Sequence, residues 1–343
     1  MEDLRQIQLT QWLIDTFLLE KCELSSMNGD AGFRRYFRFV KDNQSFIAVD
    51  SPTDKCNNAA FIFMQKQLET VGINVPEVLA FDEQQGFMCL SDLGSQELSS
   101  VLTMQNMAEY YQQAIALLPE IASIPQQNLP IYDKAFIQLE LDIFSEWLLN
   151  EHLNIQLSTT EQKQLQTCFD FIIASALEQP KVVMHRDFHS RNLMIVDNEL
   201  AVIDFQDAVI GPVTYDVVSL LRDCYVKWPV EQISPLFHNF IELMSKQFSL
   251  QGIKLEQWQK WFDLMGLQRH IKASGIFARL YHRDGKSAYL ADIPLTLSYI
   301  VDISAEYPEC QFIHQLVKDK VIPTLTKLSP TKNSTQKSLV ENT

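Results

Sequence analysis

The chain has 343 residues, 46% of them hydrophobic and 10% aromatic, with 43 acidic side chains against 28 basic ones and a net charge of −15. That is enough apolar material for a large buried core, which excludes global disorder, and the length suits two lobes packed around a cleft. The acidic balance disfavours nonspecific binding to nucleic acid or to an anionic membrane, so neither is expected as a partner.

The first twenty residues carry Glu2, Asp3 and Asp15 and lack a basic start with an apolar run, so they do not resemble a secretion signal. Helical spacing of Leu4, Ile7, Trp12, Leu13 and Phe17 predicts a helix from Leu4 to Leu19. A turn-rich stretch, Asn28-Gly29-Asp30-Ala31-Gly32, follows. Runs at 35–40 and 45–49, separated by Lys41-Asp42-Asn43-Gln44, predict strand, tight turn, strand. Ala59 to Thr70 is helical, Gly72 ends it, and Val75-Pro76 opens an extended segment. Phe87-Met88-Cys89-Leu90 is a short apolar strand that stops at Asp92-Leu93-Gly94.

From about Glu97 the pattern is mostly helical, broken by β-prone runs at 181–184, 193–196 and 200–203. The fold class is therefore α+β, a small strand-rich part before a large helical one. The expected division is 1–92, 93–328, and a polar, disordered tail over 329–343. Six cysteines, at 22, 56, 89, 168, 224 and 310, include no C-x-x-C pair. A zinc knuckle is thereby disfavoured, and isolated thiols suit a reducing compartment. No apolar run reaches the ~18 residues of a membrane span, so a cytoplasmic protein is expected.

The chemistry is concentrated in His185-Arg186-Asp187-Phe188-His189-Ser190-Arg191-Asn192 and in Val202-Ile203-Asp204-Phe205. Phosphoryl transfer needs a carboxylate to take the proton of the attacking hydroxyl, and oxygen ligands for a magnesium ion that neutralises the phosphates. Asp187 can serve as the first. Asn192, five residues on in the same loop, and Asp204, after the next hairpin, can serve as the second.

His185-Arg186-Asp187 with Asn192, followed by Asp204-Phe205, resembles the catalytic and metal-binding loops of the protein-kinase superfamily. His189 in place of a lysine, and Gly211-Pro212-Val213-Thr214-Tyr215-Asp216, resemble the aminoglycoside and choline phosphotransferase branch. The resemblance covers roughly residues 28 to 299 and implies a bilobal protein-kinase-like fold using ATP and Mg²⁺. It implies Asp187 as catalytic base, Asn192 and Asp204 as metal ligands, and Gly29, Gly32, Phe33, Arg34, Arg35 and Leu90 around the nucleotide. His185 and Asp216 would be structural supports. Three further segments, 29–38, 140–147 and 268–286, look like one bacterial subgroup, the anomeric sugar kinases of cell-wall recycling that act on N-acetylmuramate and N-acetylglucosamine. A small sugar is then the expected substrate.

One departure stands out. Protein kinases carry a lysine on the third strand and a glutamate on the next helix, whereas Phe46-Ile47-Ala48-Val49-Asp50 has no lysine and the helix has no acid before Glu69. Either Arg34 or Arg35 replaces that cation, or the fold is an inactive binding module.

On the acceptor side, Phe136, Glu140, Phe144 and Trp147 fall on one helix face. Glu140 there either binds a sugar hydroxyl or pairs with a buried arginine. Trp147 either stacks on a sugar or packs in the core. The stretch Arg269 to Lys286 holds five Lys/Arg residues and one acid, Asp284. It is either a solvated face or a basic pocket wall, with Arg279, His282 and Arg283 meeting an anionic sugar. A kinase for choline or an aminoglycoside would need an acidic pocket instead. His185-x-Asp187-x-His189 also admits a metallohydrolase site.

Overall fold

A computed structural model describes residues 3–27 and 32–328. The expectations for Gly29 and for the tail over 329–343 lie outside the described residues. Helix α1 (Leu4–Phe17) starts on an Asp3 side-chain cap and ends at Leu18, which takes a left-handed φ of 54°.

Five antiparallel strands follow, arranged β1-β2-β3-β5-β4: β1 (Ser25–Ser26), β2 (Arg35–Lys41), β3 (Gln44–Asp50), β4 (Val78–Asp82) and β5 (Phe87–Ser91). The β2–β3 turn places Asp42 and Asn43 at positive φ, the conformation a two-residue hairpin requires and these residues tolerate. Side chains alternate across the sheet. Phe37, Phe39, Ala48, Phe87 and Cys89 pack on Leu9 and Leu13 of α1. Ile47, Val49, Met88 and Leu90 face the other way and join the main core. Helix α2 (Asn58–Thr70), capped by Asn57, covers that second face with Phe61, Met64 and Leu68. β4 lies in the extended segment that Val75-Pro76 opens, whereas β1 carries no strand signal, since Leu24-Ser25-Ser26 does not alternate between apolar and polar.

The helical part contains α3 (Met107–Ser123), α4 (Lys134–Ile143), α5 (Thr159–Glu178), α6 (Tyr215–Leu221), α7 (Val230–Phe248), α8 (Leu255–Asp284), α9 (Ile293–Ser304), α10 (Gln311–Leu316) and α11 (Ile322–Leu328). Two small hairpin-like sheets interrupt it. β6 (Lys181–Met184) pairs with β9 (Val209–Pro212), and β7 (Leu193–Val196) pairs with β8 (Glu199–Val202). The β7–β8 turn repeats the device of the first, with Asp197 and Asn198 at positive φ.

Two contacts fix α8, the longest helix. α4 continues as a π-helical stretch, Phe144–His152, and Gly275 of α8 meets that junction so closely that a Cβ there would lie 2.6 Å from the Ile143 carbonyl. Only glycine permits this approach. Farther toward its start, the buried His270 ring stacks on Tyr299 of α9 at 4.2 Å, and its Nε2 donates to the Arg222 carbonyl at 2.9 Å. Its Nδ1 is buried without a partner. Burial therefore pushes the imidazole pKa down to about 3, against the pull of the Arg222 carbonyl.

That depression makes stability depend on pH. The unfolded imidazole takes a proton below about 6.5 while the folded one stays neutral, so stability is whole above that pH and erodes toward pH 3. His270 alone should remove about 2 kcal/mol between pH 7 and 5. Urea unfolding at both pH values should give a smaller difference for His270→Gln than for the unaltered chain. Equal differences would exclude His270 as the titrating group.

Candidate active site

The segment from His185 to Asn192 leaves β6 and is pinned from below. The buried Asp216 carboxylate, in the first turn of α6, accepts the backbone N–H groups of His185 at 2.7 Å and Arg186 at 2.9 Å. His185 donates from Nε2 to the Ile203 carbonyl at 2.9 Å and accepts the Asp187 N–H on Nδ1 at 3.3 Å. With both ring nitrogens occupied and burial holding its pKa down, His185 braces the loop and is not a metal ligand. That removes the basis of the metallohydrolase alternative.

Arg186 has a left-handed φ of 78°, strained for a residue with a side chain, and it is held from three sides although its Nε is buried without a partner. Its N–H goes to Asp216, its carbonyl accepts Arg269 Nη1 at 2.8 Å, and its Nη2 donates to Glu140 at 2.8 Å. The residue before Asp187 is thus clamped by α4, α6 and α8 together.

The three chemical side chains converge. Asn192 Nδ2 donates to the Asp187 carbonyl at 2.9 Å and reaches Asp204 Oδ2 at 3.5 Å. Among the described residues, no group donates to Asn192 Oδ1. Asp204 follows β8 with a φ of 64°, and its Oδ1 accepts Gln206 Nε2 at 2.7 Å. Phe205 behind it packs on Phe61 of α2 at 5.0 Å, tying this loop to the N-terminal sheet.

Burial raises the Asp204 pKa, and the charge of Asp187 raises it further against the Gln206 hydrogen bond. Burial also opposes ionisation of Asp187, but Lys272, His189, Arg269 and Arg186 overcome it and hold Asp187 well below the usual carboxylate range. Two carboxylates close enough to feel one another's charge, beside an open amide oxygen, are the donor set a hard divalent cation prefers.

Glu140 resolves to the second of its two readings. Its Oε1 takes Arg186 Nη2 at 2.8 Å and Lys272 Nζ at 2.7 Å, while its Oε2 takes the Tyr132 hydroxyl at 2.5 Å and Gln268 Nε2 at 3.0 Å. All four lone-pair positions are filled, so nothing remains for a sugar hydroxyl. Trp147 packs half-buried against the core.

The basic segment is split by its helix. Arg269 and Lys272 face Asp187 and the Tyr215 ring. Arg279, His282 and Arg283 do not. Arg279 lies in the fields of Arg283, Asp284 and Glu146. His282 is exposed and bonded to His152 at 3.1 Å, and Arg283 pairs with Asp284 at 2.8 Å. Two helical turns, about 10 Å along the axis, separate Lys272 from Arg279. These three residues are therefore corrected from pocket wall to outer helix end. Charge count along the chain marked the segment, but only the packing of α8 selects its inward residues.

On the nucleotide side, Gly32 and Phe33 lie in the loop before β2, with the Phe33 ring 63% exposed and Lys55 over it at 5.1 Å. Arg35 is committed elsewhere. It pairs with the buried Asp50 at 2.5 Å and with Asp3, alongside Arg5. Arg34 instead donates to Ser51 Oγ at 3.0 Å and to the Asn57 carbonyl, and lies over Phe61, the ring that touches Phe205. Of the two arginines, Arg34 is the one turned toward the Asp204–Phe205 loop. Leu90 lies on the same sheet face, opposite Ile47. Arg38 escaped the sequence reading. It grips Asp92 with two hydrogen bonds at 2.6 and 2.9 Å and the Gly94 carbonyl at 2.9 Å, anchoring the segment that joins the two parts.

Residues 23–244 match the model of the family described as "Phosphotransferase enzyme family". The chain is 37% identical to the N-acetylmuramate/N-acetylglucosamine kinase of Pseudomonas aeruginosa, over 92% of its length and 97% of that protein. It is 36% identical to the enzyme of the same name from Neisseria meningitidis serogroup B, over 92% and 96%. A GDP complex of aminoglycoside 2′-phosphotransferase-IIIa superposes with a TM-score of 0.58, covering 88% of this chain and 98% of that one at 14% identity. With the paired loops in place and more than half of its length under one family model, the chain belongs to the phosphotransferase enzyme family, the kinases built on a protein-kinase-like fold.

Proposed function

We propose that this enzyme transfers the γ-phosphoryl group of ATP to the anomeric hydroxyl of N-acetylmuramate, N-acetylglucosamine or both, in the cytoplasm. The observation that carries the reading is the convergence of Asp187, Asn192 and Asp204 across one loop and one hairpin. The names of the two bacterial relatives support the choice of sugar. Free cysteines throughout support a reducing compartment. Residues 1–92 would form the nucleotide lobe and 93–328 the catalytic and substrate lobe, with the cleft at the Arg38–Asp92 anchor.

In this reading Asp187, kept ionised by Lys272, His189, Arg269 and Arg186, accepts the proton of the attacking hydroxyl. An anomeric hydroxyl is more acidic than an ordinary alcohol, so a weak base suffices. Asn192 Oδ1 and the Asp204 carboxylate are the groups that would hold magnesium, which supplies charge neutralisation on the phosphates. Arg34, beside the glycine loop, takes the place of the absent strand lysine. Arg186, Arg269 and Lys272 set three cations around Asp187. Cations at that position disfavour cationic amino alcohols and aminoglycosides as acceptors.

A phosphate-transfer assay with ATP, Mg²⁺ and a panel of free sugars, aminoglycosides and amino alcohols tests the assignment. Transfer to an amino alcohol and to neither amino sugar would overturn it. Asp187→Asn should lower kcat about 10²–10⁴-fold while leaving nucleotide binding nearly intact. A near-normal kcat would remove Asp187 from the base role. Arg34→Ala should raise the KM for ATP about tenfold. Arg35→Ala should leave that KM alone and instead lower the melting temperature, because Asp50 would keep only Arg5 as partner. The reverse pattern would exchange the two assignments.

A further inference from the structure

Beside the catalytic loop lies a cavity of about 260 Å³, lined by Ser99 and Leu102, by Ser190 and Arg191, and by Tyr225 and Trp228 from the segment after α6. Arg191 stands immediately before Asn192 and four residues beyond Asp187 in the same loop. Its guanidinium sits over the Tyr225 ring, with its carbon 3.3 Å from the ring centroid. Tyr225 is in turn held by the edge of His189, at 5.6 Å between ring centroids.

Arg191 differs from its neighbours in how its donors are used. Arg186 donates to Glu140, Arg269 to the Arg186 carbonyl, and Arg222 to Asp263. Among the described residues, Arg191 donates no hydrogen bond and forms no ion pair within 4 Å. The nearby acids are not its partners. Asp223 is used by Ser190 Oγ and the Tyr225 N–H. Asp292 feels the Arg191 charge only at a distance. A planar cation stacked on an aromatic ring, with its fork of N–H groups unspent at a cavity, is organised to receive a carboxylate in two parallel hydrogen bonds.

We propose that Arg191 is a specificity residue that binds a carboxylate on the acceptor sugar, the lactyl carboxylate of N-acetylmuramate. The proposal rests on the sugar-kinase reading above. That carboxylate is carried on carbon 3 of the ring, away from the anomeric carbon at Asp187, so its partner must stand apart from Asp187, and Arg191 lies four residues beyond it in the loop. N-acetylglucosamine lacks the group and would leave the Arg191 fork to water. Arg186, Arg269 and Lys272 are poorer candidates because each already has a protein acceptor.

The test measures kcat/KM for N-acetylmuramate, for its neutral methyl ester and for N-acetylglucosamine, in the unaltered enzyme and in Arg191→Gln and Arg191→Lys. The ratio of N-acetylmuramate to N-acetylglucosamine efficiency should fall about 10–100-fold in Arg191→Gln. It should fall less in Arg191→Lys, which keeps the charge and loses the fork. Esterification should cost the unaltered enzyme a similar factor and cost Arg191→Gln nothing more. The ester comparison stands even if a variant folds poorly. Equal losses on both free sugars, or a raised KM for ATP with an unchanged sugar ratio, would overturn the proposal and assign Arg191 to folding or to the nucleotide. An unaltered enzyme inactive on both sugars would overturn the sugar-kinase reading itself, and Arg191's role with it.

Discussion

The site depends on one buried carboxylate. Glu140 is 4% exposed and accepts from Arg186, Lys272, Tyr132 and Gln268, which come from the catalytic loop, α8 and the segment before α4. A buried ion costs several kcal/mol of desolvation unless it is fully paired, and here every lone pair is used. The attraction of two cations outweighs the burial that would neutralise it, and Glu140 stays ionised, its pKa held at about 2. That charge keeps Lys272 and Arg186 at fixed positions. Those two cations, with Arg269 and His189, set the field in which Asp187 remains a carboxylate.

The same clamp explains why a strained backbone persists at the catalytic loop. Arg186 and Asp204 both take left-handed φ angles without being glycine. Such conformations survive only where surrounding contacts overdetermine them. Asp216 supplies two acceptors from α6, Arg269 supplies a donor from α8, and the β6–β9 and β7–β8 pairings hold the loop ends. The close approach of α8 at Gly275 is what brings Gln268 and Lys272 within reach of α4. Loop, helix and carboxylate therefore stabilise one another, and removing any of them releases the others.

The N-terminal sheet gives its two neighbouring arginines different partners. The strand that carries a lysine in protein kinases here presents Ile47 and Val49 to the interior face, both buried and apolar. Two arginines lie adjacent in sequence before and at the start of β2. Alternation and local acids give them different partners: Arg35 goes to Asp50 and Asp3, while Arg34 turns to Ser51, Asn57 and the Phe61–Phe205 stack. Arg35 is thereby tied to α1 and β3, and Arg34 to the start of α2.

Local sequence determined the elements whose geometry is short-range. The β2–β3 and β7–β8 hairpins, α2 and the trio Asp187, Asn192 and Asp204 were legible because a loop and a hairpin bring near neighbours together by their own turn geometry. His185 and Asp216, marked by the same motif, bond to the backbone of Ile203 and of His185. Tertiary structure decided everything that needed distant partners. Glu140 meets Arg186 across 46 positions and Gln268 across 128, and no spacing rule spans such separations. Hence composition could mark 269–286 as basic but could not distinguish Lys272 from Arg279. On a helix of 30 residues, the rotation and depth at which it packs decide which cations face the chemistry and which face water.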